Sequence, residues 1–226
     1  MSRICQNLVV NSPGMRLNEL SSDELFVWTT TPWTIPANLA IAVHPEADYV
    51  LLDTPRGGLV AAAPLAAATL AAAGLEGHEV ARAKGAELVG ARYRHPLAEG
   101  LRAALPADSD VFRVVRADYV TLDTGTGIVH TAPGHGWDDY LTGIRYGLDI
   151  YCPVDEAGRF VPEVAHFAGQ KVFDANPGVV ALLRERGALL QASKDKHSYP
   201  VCWRCKKPVI FRATEQWFVA LDEGKP

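Results

Sequence analysis

The sequence lacks the features that mark several large classes of protein. No apolar run unbroken by proline, glycine or a polar residue approaches the roughly 18 residues of a membrane-spanning helix. Only four of its 226 residues are cysteine, which is too few for a disulfide framework. Lysine and arginine number 22 against 26 acidic residues, a net charge of -4 that argues against a free-standing nucleic-acid-binding protein. These absences predict a globular, cytoplasmic protein that does not contact a membrane.

The pattern of residues predicts many short elements joined by turns, because 19 glycines and 15 prolines are spread along the chain. Segments rich in β-branched and aromatic residues predict strands over 24–31, 39–44, 49–53 and 111–122. Composition and spacing predict helices over 61–73, 137–148 and 179–186. The second helix carries Tyr140, Leu141, Ile144 and Leu148 on one face. Strands outnumber helices, so we predict an α+β fold with a mixed or antiparallel, barrel-like sheet and peripheral helices.

Three regions are predicted along the chain from changes in composition. Residues 1–23 are polar and mixed, and we interpret them as a lead-in segment. Residues 24–193 hold the predicted strands and helices and form the core domain. Residues 194–226 begin with a stretch of six basic residues and one acid between 194 and 212. We expect this basic C-terminal segment to contact another molecule or another part of a longer protein.

A hydroxyl-rich motif, Trp28-Thr-Thr-Thr-Pro-Trp-Thr34, follows the first predicted strand. It brings four threonine hydroxyls into six positions, and each hydroxyl both donates and accepts a hydrogen bond. Such a group suits the binding of a small polar group or a water molecule. The alternative is that these threonines simply reflect the preference of threonine for strands.

A second motif, Gly125-Thr-Gly-Ile-Val-His-Thr-Ala-Pro-Gly-His-Gly-Trp-Asp-Asp139, brings two histidines and two acids together. Asp138 and Asp139 come where a helix should begin, so one of them could simply cap that helix. The spacing of His130, His135 and Asp139 could also be that of metal ligands. No paired helical motif such as HExxH supports that alternative, so no metal is predicted here, and His135 is expected to serve the loop turn.

Two shorter patterns each allow more than one interpretation. Asp123-Thr-Gly125 matches the tripeptide of aspartic proteases, but those enzymes need two such carboxylates and the chain has one copy. Cys202-Trp-Arg-Cys205 is half of a tetrathiolate zinc site. His197 and a remote cysteine could complete that site, the other half could lie outside this chain, or the thiols could be ordinary. We predict no cofactor.

The motifs together resemble one known family. The segment from Trp28 to Asn38 closely resembles the threonine-rich segment of the editing domain inserted in class I isoleucyl-tRNA synthetases, in its bacterial form. The segment 125–139 looks like the second signature of that domain. The segments 197–204 and 211–218 are similar to the stretch where the insertion returns to the catalytic core. The HIGH and KMSKS motifs of that core are absent, so the resemblance implies no aminoacylation by this chain.

The resemblance implies hydrolysis of the valyl ester of tRNA(Ile), and of valyl-adenylate, with isoleucine excluded by size. A second site is needed because one methylene in a binding pocket is worth only about 1–3 kcal/mol, a limit for which this synthetase is the standard example. The implied partners are the tRNA 3′ acceptor end, valyl-adenylate and the rest of the synthetase. The alternative is a module that binds the acceptor end without hydrolysis.

The same resemblance assigns roles to eight residues. Thr30 and Thr31 would orient the water and the carbonyl, Asp139 would bind the ammonium group, and Asn38 would hydrogen-bond the acyl or ribose portion. His130 would line the pocket floor and exclude the extra methyl of isoleucine, or act as a base. The remaining substrate contacts would come from Thr29, Trp33 and Thr34.

Overall fold

The computed structural model describes residues 2–11, 23–194, 199–217 and 219. Ten strands lie in these ranges: β1 Ser2–Asn11, β2 Asp23–Thr29, β3 Ala40–Val43, β4 Asp48–Thr54, β5 Gly57–Ala62, β6 His78–Lys84, β7 Arg92–Arg94, β8 Arg113–Arg116, β9 Ile128–Thr131 and β10 Leu189–Lys194. The α-helices are α1 Ala66–Ala73, α2 Gly85–Leu88, α3 Ala98–Leu101, α4 Trp137–Tyr146 and α5 Val172–Glu185. Short 3₁₀ helices cover Pro32–Ala37, Ala63–Leu65 and Arg102–Ala104.

The strands form one mixed sheet in the order β6-β4-β5-β2-β1-β7-β8-β3-β9, with β10 paired to β1. Two pairs, β2 with β5 and β3 with β8, are parallel, and the others are antiparallel. This confirms the prediction of a mixed sheet with helices around it. The barrel-like description is not confirmed, because no pairing closes this order between β6 and β9 in the described part of the chain. Strand β6 carries Glu79, Arg82 and Lys84, and charged side chains are typical of an open sheet edge.

Strand β3 lies near one end of the sheet and is buried along its whole length, as its continuous apolar sequence Ala-Ile-Ala-Val predicts. It pairs with β9, and His130 lies opposite Ile41 in that pair. On the other side of the site, α5 packs Val172, Ala175, Val179 and Leu183 against Trp33 and Ile35 of the first 3₁₀ helix. The pairing of β3 with β9 positions the strand that carries the second motif. The packing of α5 positions the 3₁₀ helix that contains the end of the first motif.

Four predictions about elements need correction. Residues 2–11, interpreted as part of a lead-in, form β1, which pairs with β2, β7 and β10. The helix predicted over 61–73 begins only at Ala66, since Gly57–Ala62 pairs with β4 as β5. The strand predicted over 111–122 is limited to Arg113–Arg116. The helix predicted over 179–186 corresponds to α5, which begins earlier, at Val172, and contains Pro177 in its second turn.

The predicted boundary between residues 193 and 194 falls within β10. No helix among the described residues is both long and apolar enough to cross a bilayer.

Candidate functional site

The two predicted motifs meet in one cavity of about 330 Å³. Three separate stretches of the chain line it. The hydroxyl-rich motif supplies Trp28, Thr29, Thr30, Thr31, Trp33 and Thr34; the second motif supplies Val129, His130, His135 and Asp139; and the C-terminal part supplies Tyr199, Pro200 and Phe211. The structure therefore brings together every predicted site residue except Asn38.

The threonine motif folds into a hydrogen-bonded turn where β2 ends. The backbone N–H of Thr31 donates to Thr29 Oγ1 at 3.0 Å, and the hydroxyl of Thr34 donates to the carbonyl of Thr31 at 2.8 Å. The backbone N–H of Trp33 donates to Asn176 Oδ1 on α5, also at 3.0 Å. Two of the four hydroxyls thus shape the turn, and a helix side chain holds it in place.

His130 forms a neutral, buried part of the cavity wall. Its Nε2 lies 3.1 Å from Thr34 Oγ1 and 3.4 Å from Thr29 Oγ1. Because the proton of the Thr34 hydroxyl is donated to a carbonyl, Thr34 Oγ1 accepts here, which assigns the imidazole proton to Nε2. Burial lowers the pKa of His130 to about 4, and the neighbouring His135 adds a smaller effect in the same direction. His130 is therefore uncharged at neutral pH.

Asp139 brings a carboxylate to the cavity from the first turn of α4. Its Oδ2 accepts a hydrogen bond of 3.0 Å from the backbone N–H of Ala132, so it does not serve as the helix cap, which is Gly136. Burial raises the pKa of Asp139 to about 6; the Ala132 N–H opposes this effect and nearby Asp138 reinforces it. A side chain at Gly136 would approach Asp139 Cγ to 3.2 Å, so the glycine leaves room for the carboxylate.

The sequence predicted that His135 serves the loop turn, and the structure also places it in the wall of the cavity. It lies edge-on to the indole of Trp33, with ring centroids 4.9 Å apart at 79°. Its Nδ1 lies 3.0 Å from the carbonyl oxygen of Phe211, to which it donates. Burial lowers the pKa of His135. The sequence pattern also missed the lining residues Tyr199, Pro200 and Phe211, which no local spacing connects to the other motifs.

Asn38 does not contact the cavity, so its predicted hydrogen bond to substrate does not fit the structure. The residue is fully buried. Its Nδ2 donates to the carbonyl of Ala40 at 2.8 Å, and its Oδ1 accepts from the hydroxyl of Tyr93. Both ends of the amide are used in joining the end of the 3₁₀ helix to β3 and β7, which is a structural role.

The described residues contain no group of three or more histidine, cysteine or acidic side chains arranged to hold a metal ion. The metal alternative for His130, His135 and Asp139 therefore has no geometric support. Cys202 and Cys205 share a turn in which hydrogen bonds from the backbone of Cys205 and Arg204 lower the pKa of the Cys202 thiol. Both are free thiols, and His197 lies outside the described residues.

Comparison with known proteins places the chain in a family. No family model matches it. It is 51% identical over 200 residues to the isoleucine--tRNA ligase of Geobacter sulfurreducens, covering 88% of this chain and 21% of the relative. It is 49% identical over 219 residues to that of Halorhodospira halophila, covering 96% of this chain and 22% of the relative. The chain thus spans about a fifth of the length of these relatives.

Solved structures agree on the fold. The structure of GlLeuRS-CP1 has a TM-score of 0.61 at 18% identity and covers 85% of this chain and 100% of that chain. The editing domain of the P. knowlesi cytosolic leucyl-tRNA synthetase has a TM-score of 0.61 at 10% identity, covering 84% of this chain and 96% of that chain. The chain therefore belongs to the isoleucine--tRNA ligase family, as the segment that has the CP1 editing-domain fold.

Proposed function

We propose that this chain hydrolyses the ester that joins valine to the 3′ end of tRNA(Ile), and spares the isoleucyl ester. The observation that carries the proposal is that the threonine motif, His130 and Asp139 line one cavity. The editing-domain fold supports the same reaction class. The tRNA acceptor end, the valyl-adenylate and the rest of the synthetase are the partners that we propose with it.

Asp139 would bind the α-ammonium group of the aminoacyl ester. A carboxylate opposite a cation makes a strong, directional contact, and it favours an acyl group with a free amine over one without. Oδ2 of Asp139 already accepts from Ala132, which fixes the carboxylate and leaves Oδ1 for the ammonium group. With a pKa of about 6, Asp139 is mostly ionised at neutral pH.

Water would be the nucleophile, since hydrolysis of an ester needs no protein nucleophile; the described residues that line the cavity include no serine or cysteine. Thr30 and Thr31 lie at the turn and would orient the water and the ester carbonyl through their hydroxyls. Attack by the water oxygen forms a C–O bond to the carbonyl carbon; the bond from that carbon to the ribose oxygen then breaks, and the ribose oxygen takes up the proton that the water loses. The gain from such positioning is largest when the donors are fixed in advance, and the hydrogen bonds within the turn fix the backbone of Thr31 through both its N–H and its carbonyl.

His130 would act as a steric wall. Its Nε2 proton is directed to Thr34 and its ring is held between two threonines, so the imidazole is rigid and uncharged. A rigid ring at the floor of a small cavity clashes with the extra methylene of isoleucine. The energetic cost of this clash exceeds the binding energy that the same methylene gains in a pocket that accepts it. This arrangement supports exclusion by size over a role for His130 as the general base.

Deacylation assays with the purified 226-residue chain test this proposal. We expect valyl-tRNA(Ile) to be hydrolysed at least about tenfold faster than isoleucyl-tRNA(Ile). Asp139→Asn keeps an acceptor for the Ala132 N–H but removes the charge, so we expect valyl deacylation to fall by about 10- to 100-fold. Asp138→Asn, at the neighbouring exposed acid, is the matched control and should leave the rate unchanged.

Two results would contradict the proposal. Equal rates for the two esters would remove the size-exclusion step. Binding of an acceptor-end RNA without any hydrolysis, under conditions where the chain is folded, would favour the alternative of a binding module.

A further inference from the structure

We propose that His135 is a positioning residue that fixes the third wall of the cavity against the other two. This wall comes from the return segment, which we define as residues 199–217, through Tyr199, Pro200 and Phe211. The inference deepens the proposed deacylation and rests on it, because the position of this wall would set which aminoacyl group fits.

The return segment is held to the loop 132–136 by two adjacent hydrogen bonds. Nδ1 of His135 donates to the carbonyl of Phe211 at 3.0 Å, and the backbone N–H of Ala213 donates to the carbonyl of Gly134 at 2.8 Å. Between them, Arg212 Nε donates to the carbonyl of Val154 at 2.7 Å. The His135 contact is the one of the three that joins two residues lining the cavity, His135 and Phe211.

The loop that carries His135 cannot shift to compensate for a lost contact. A side chain on Gly134 would lie 2.3 Å from the carbonyl oxygen of Tyr151, so the loop backbone is pressed against that segment. The backbone N–H of His135 closes the turn on the carbonyl of Ala132 at 2.8 Å. The N–H of the same Ala132 binds Asp139. The loop therefore has a fixed position relative to the carboxylate.

His135 also touches the first wall. Its ring meets the indole of Trp33 edge-on, and the backbone of Trp33 is anchored to Asn176 on α5. His135 is buried, and its ring contacts both the threonine turn, through Trp33, and the return segment, through Phe211. Its backbone N–H binds the loop that holds Asp139. Loss of its ring and its donor should let the Phe211 wall move away from the turn.

The expected effect is a loss of positioning rather than a loss of fold. A misplacement of about 1 Å in a site can cost on the order of 100-fold in rate. We expect His135→Ala to lower the kcat/KM for valyl-tRNA(Ile) by about 10- to 100-fold, chiefly through kcat. We also expect the preference for the valyl over the isoleucyl ester to shrink, because the cavity becomes wider.

Three variants separate the hydrogen bond from the bulk of the ring. His135→Asn places an amide N–H near the position of Nδ1, so it should restore the bond to Phe211 and most of the activity. His135→Gln fills a similar volume but carries its amide near the position of Nε2, so it should behave like His135→Ala. If His135→Ala does not fold, the asparagine and glutamine variants alone carry the test.

Amide hydrogen exchange at Ala213 gives a readout that does not depend on activity. Its N–H should exchange faster in His135→Ala and His135→Gln than in the unchanged protein and in His135→Asn, with the same unfolding midpoint. Full deacylation activity in His135→Gln would overturn the proposal, and so would unchanged protection of Ala213. If the unchanged chain hydrolyses neither ester, the proposed function fails, whereas the Ala213 measurement still decides whether His135 positions the segment.

Discussion

Helices α4 and α5 are both amphipathic, but they present opposite faces to the protein. In α5 the apolar residues Val172, Ala175, Val179 and Leu183 are 0–2% exposed and pack around Trp33. In α4 the residues Trp137, Tyr140, Leu141 and Ile144 are 36–70% exposed. The inward face of α4 instead carries Asp139, Thr142 and Gly143.

The difference shows that the spacing of apolar residues identifies one face of a helix, but not whether that face is buried against the protein or exposed. In α4 the residues that contact the protein are small or polar, because this helix must approach closely and deliver a carboxylate to the cavity. Gly143 allows that approach, since a Cβ there would lie 2.9 Å from Pro133. In α5 the same spacing belongs to a helix that packs against Trp33 and holds the threonine turn in place.

Truncation of one leucine-sized side chain on each helix should give the largest contrast. Leu183→Ala in α5 leaves a cavity in a fully buried cluster, so we expect a loss of about 2–5 kcal/mol in the free energy of unfolding. Ile144→Ala in α4 removes an exposed side chain and should change that free energy by no more than about 0.5 kcal/mol. Urea denaturation of both variants measures this. Equal losses would mean that the outward face of α4 is packed within this chain.

Alanine at the glycine of each helix should give an intermediate effect. Gly143→Ala presses a methyl group against the rigid ring of Pro133, so we expect destabilisation of about 1–3 kcal/mol. At Gly178 of α5 the new methyl would meet Phe167 at 3.2 Å, and the better helix propensity of alanine offsets that contact. We expect a change within about 1 kcal/mol there. A larger loss at Gly178 than at Gly143 would reverse the assignment of close packing to α4.

The pH dependence of stability should show the smallest effect and a definite sign. Folding raises the pKa of Asp139 from 3.8 to about 6, so the folded state holds this proton more tightly than the unfolded state. The stability of the unchanged protein relative to Asp139→Asn should therefore fall as pH rises from about 4 to about 6, and then level off. Thermal unfolding across this range measures the difference. A difference that rises with pH would mean that the carboxylate is ion-paired in the folded state.

The stability of the unchanged protein is compared with that of Asp139→Asn at each pH, because the buried histidines change stability with pH in the opposite direction. Folding lowers the pKa of His95 and His130 from 6.5 to about 4, so their contribution to stability is lost as pH falls from about 6.5 towards 4. This loss is common to both proteins and cancels in the difference. Asp174→Asn, at an exposed acid in the first turn of α5, should change stability by less than about 0.5 kcal/mol.

Much of the fold could be predicted where local sequence decides it. Strands β2, β3 and β4 are confirmed, because their β-branched and aromatic residues favour strands whichever neighbour they pair with. Strand β1 was interpreted as part of a lead-in because its pairing with β2 and with the distant strands β7 and β10 cannot be seen in its mixed composition. Whether the sheet closes is likewise decided by long-range pairing, and no pairing closes it among the residues that the structure describes.

The functional site likewise contains residues that could be predicted from the sequence and residues that could not. Thr29, His130 and Asp139 lie in motifs whose residues could be named from the sequence, and they do line one cavity. Phe211 could not be connected to them, because only folding brings it beside His135. Asn38 was misassigned because an amide that binds Tyr93 looks the same in sequence as one that binds a ligand.

The long separations in the cavity also bear on how the protein is made. Thr29 and His130, which meet in one wall, are 101 residues apart in the chain, and His135 meets Phe211 a further 76 residues beyond it. Contacts so distant in sequence form slowly during folding. During synthesis the threonine turn and His130 are made before Phe211, so the cavity cannot have its third wall until the return segment has been made.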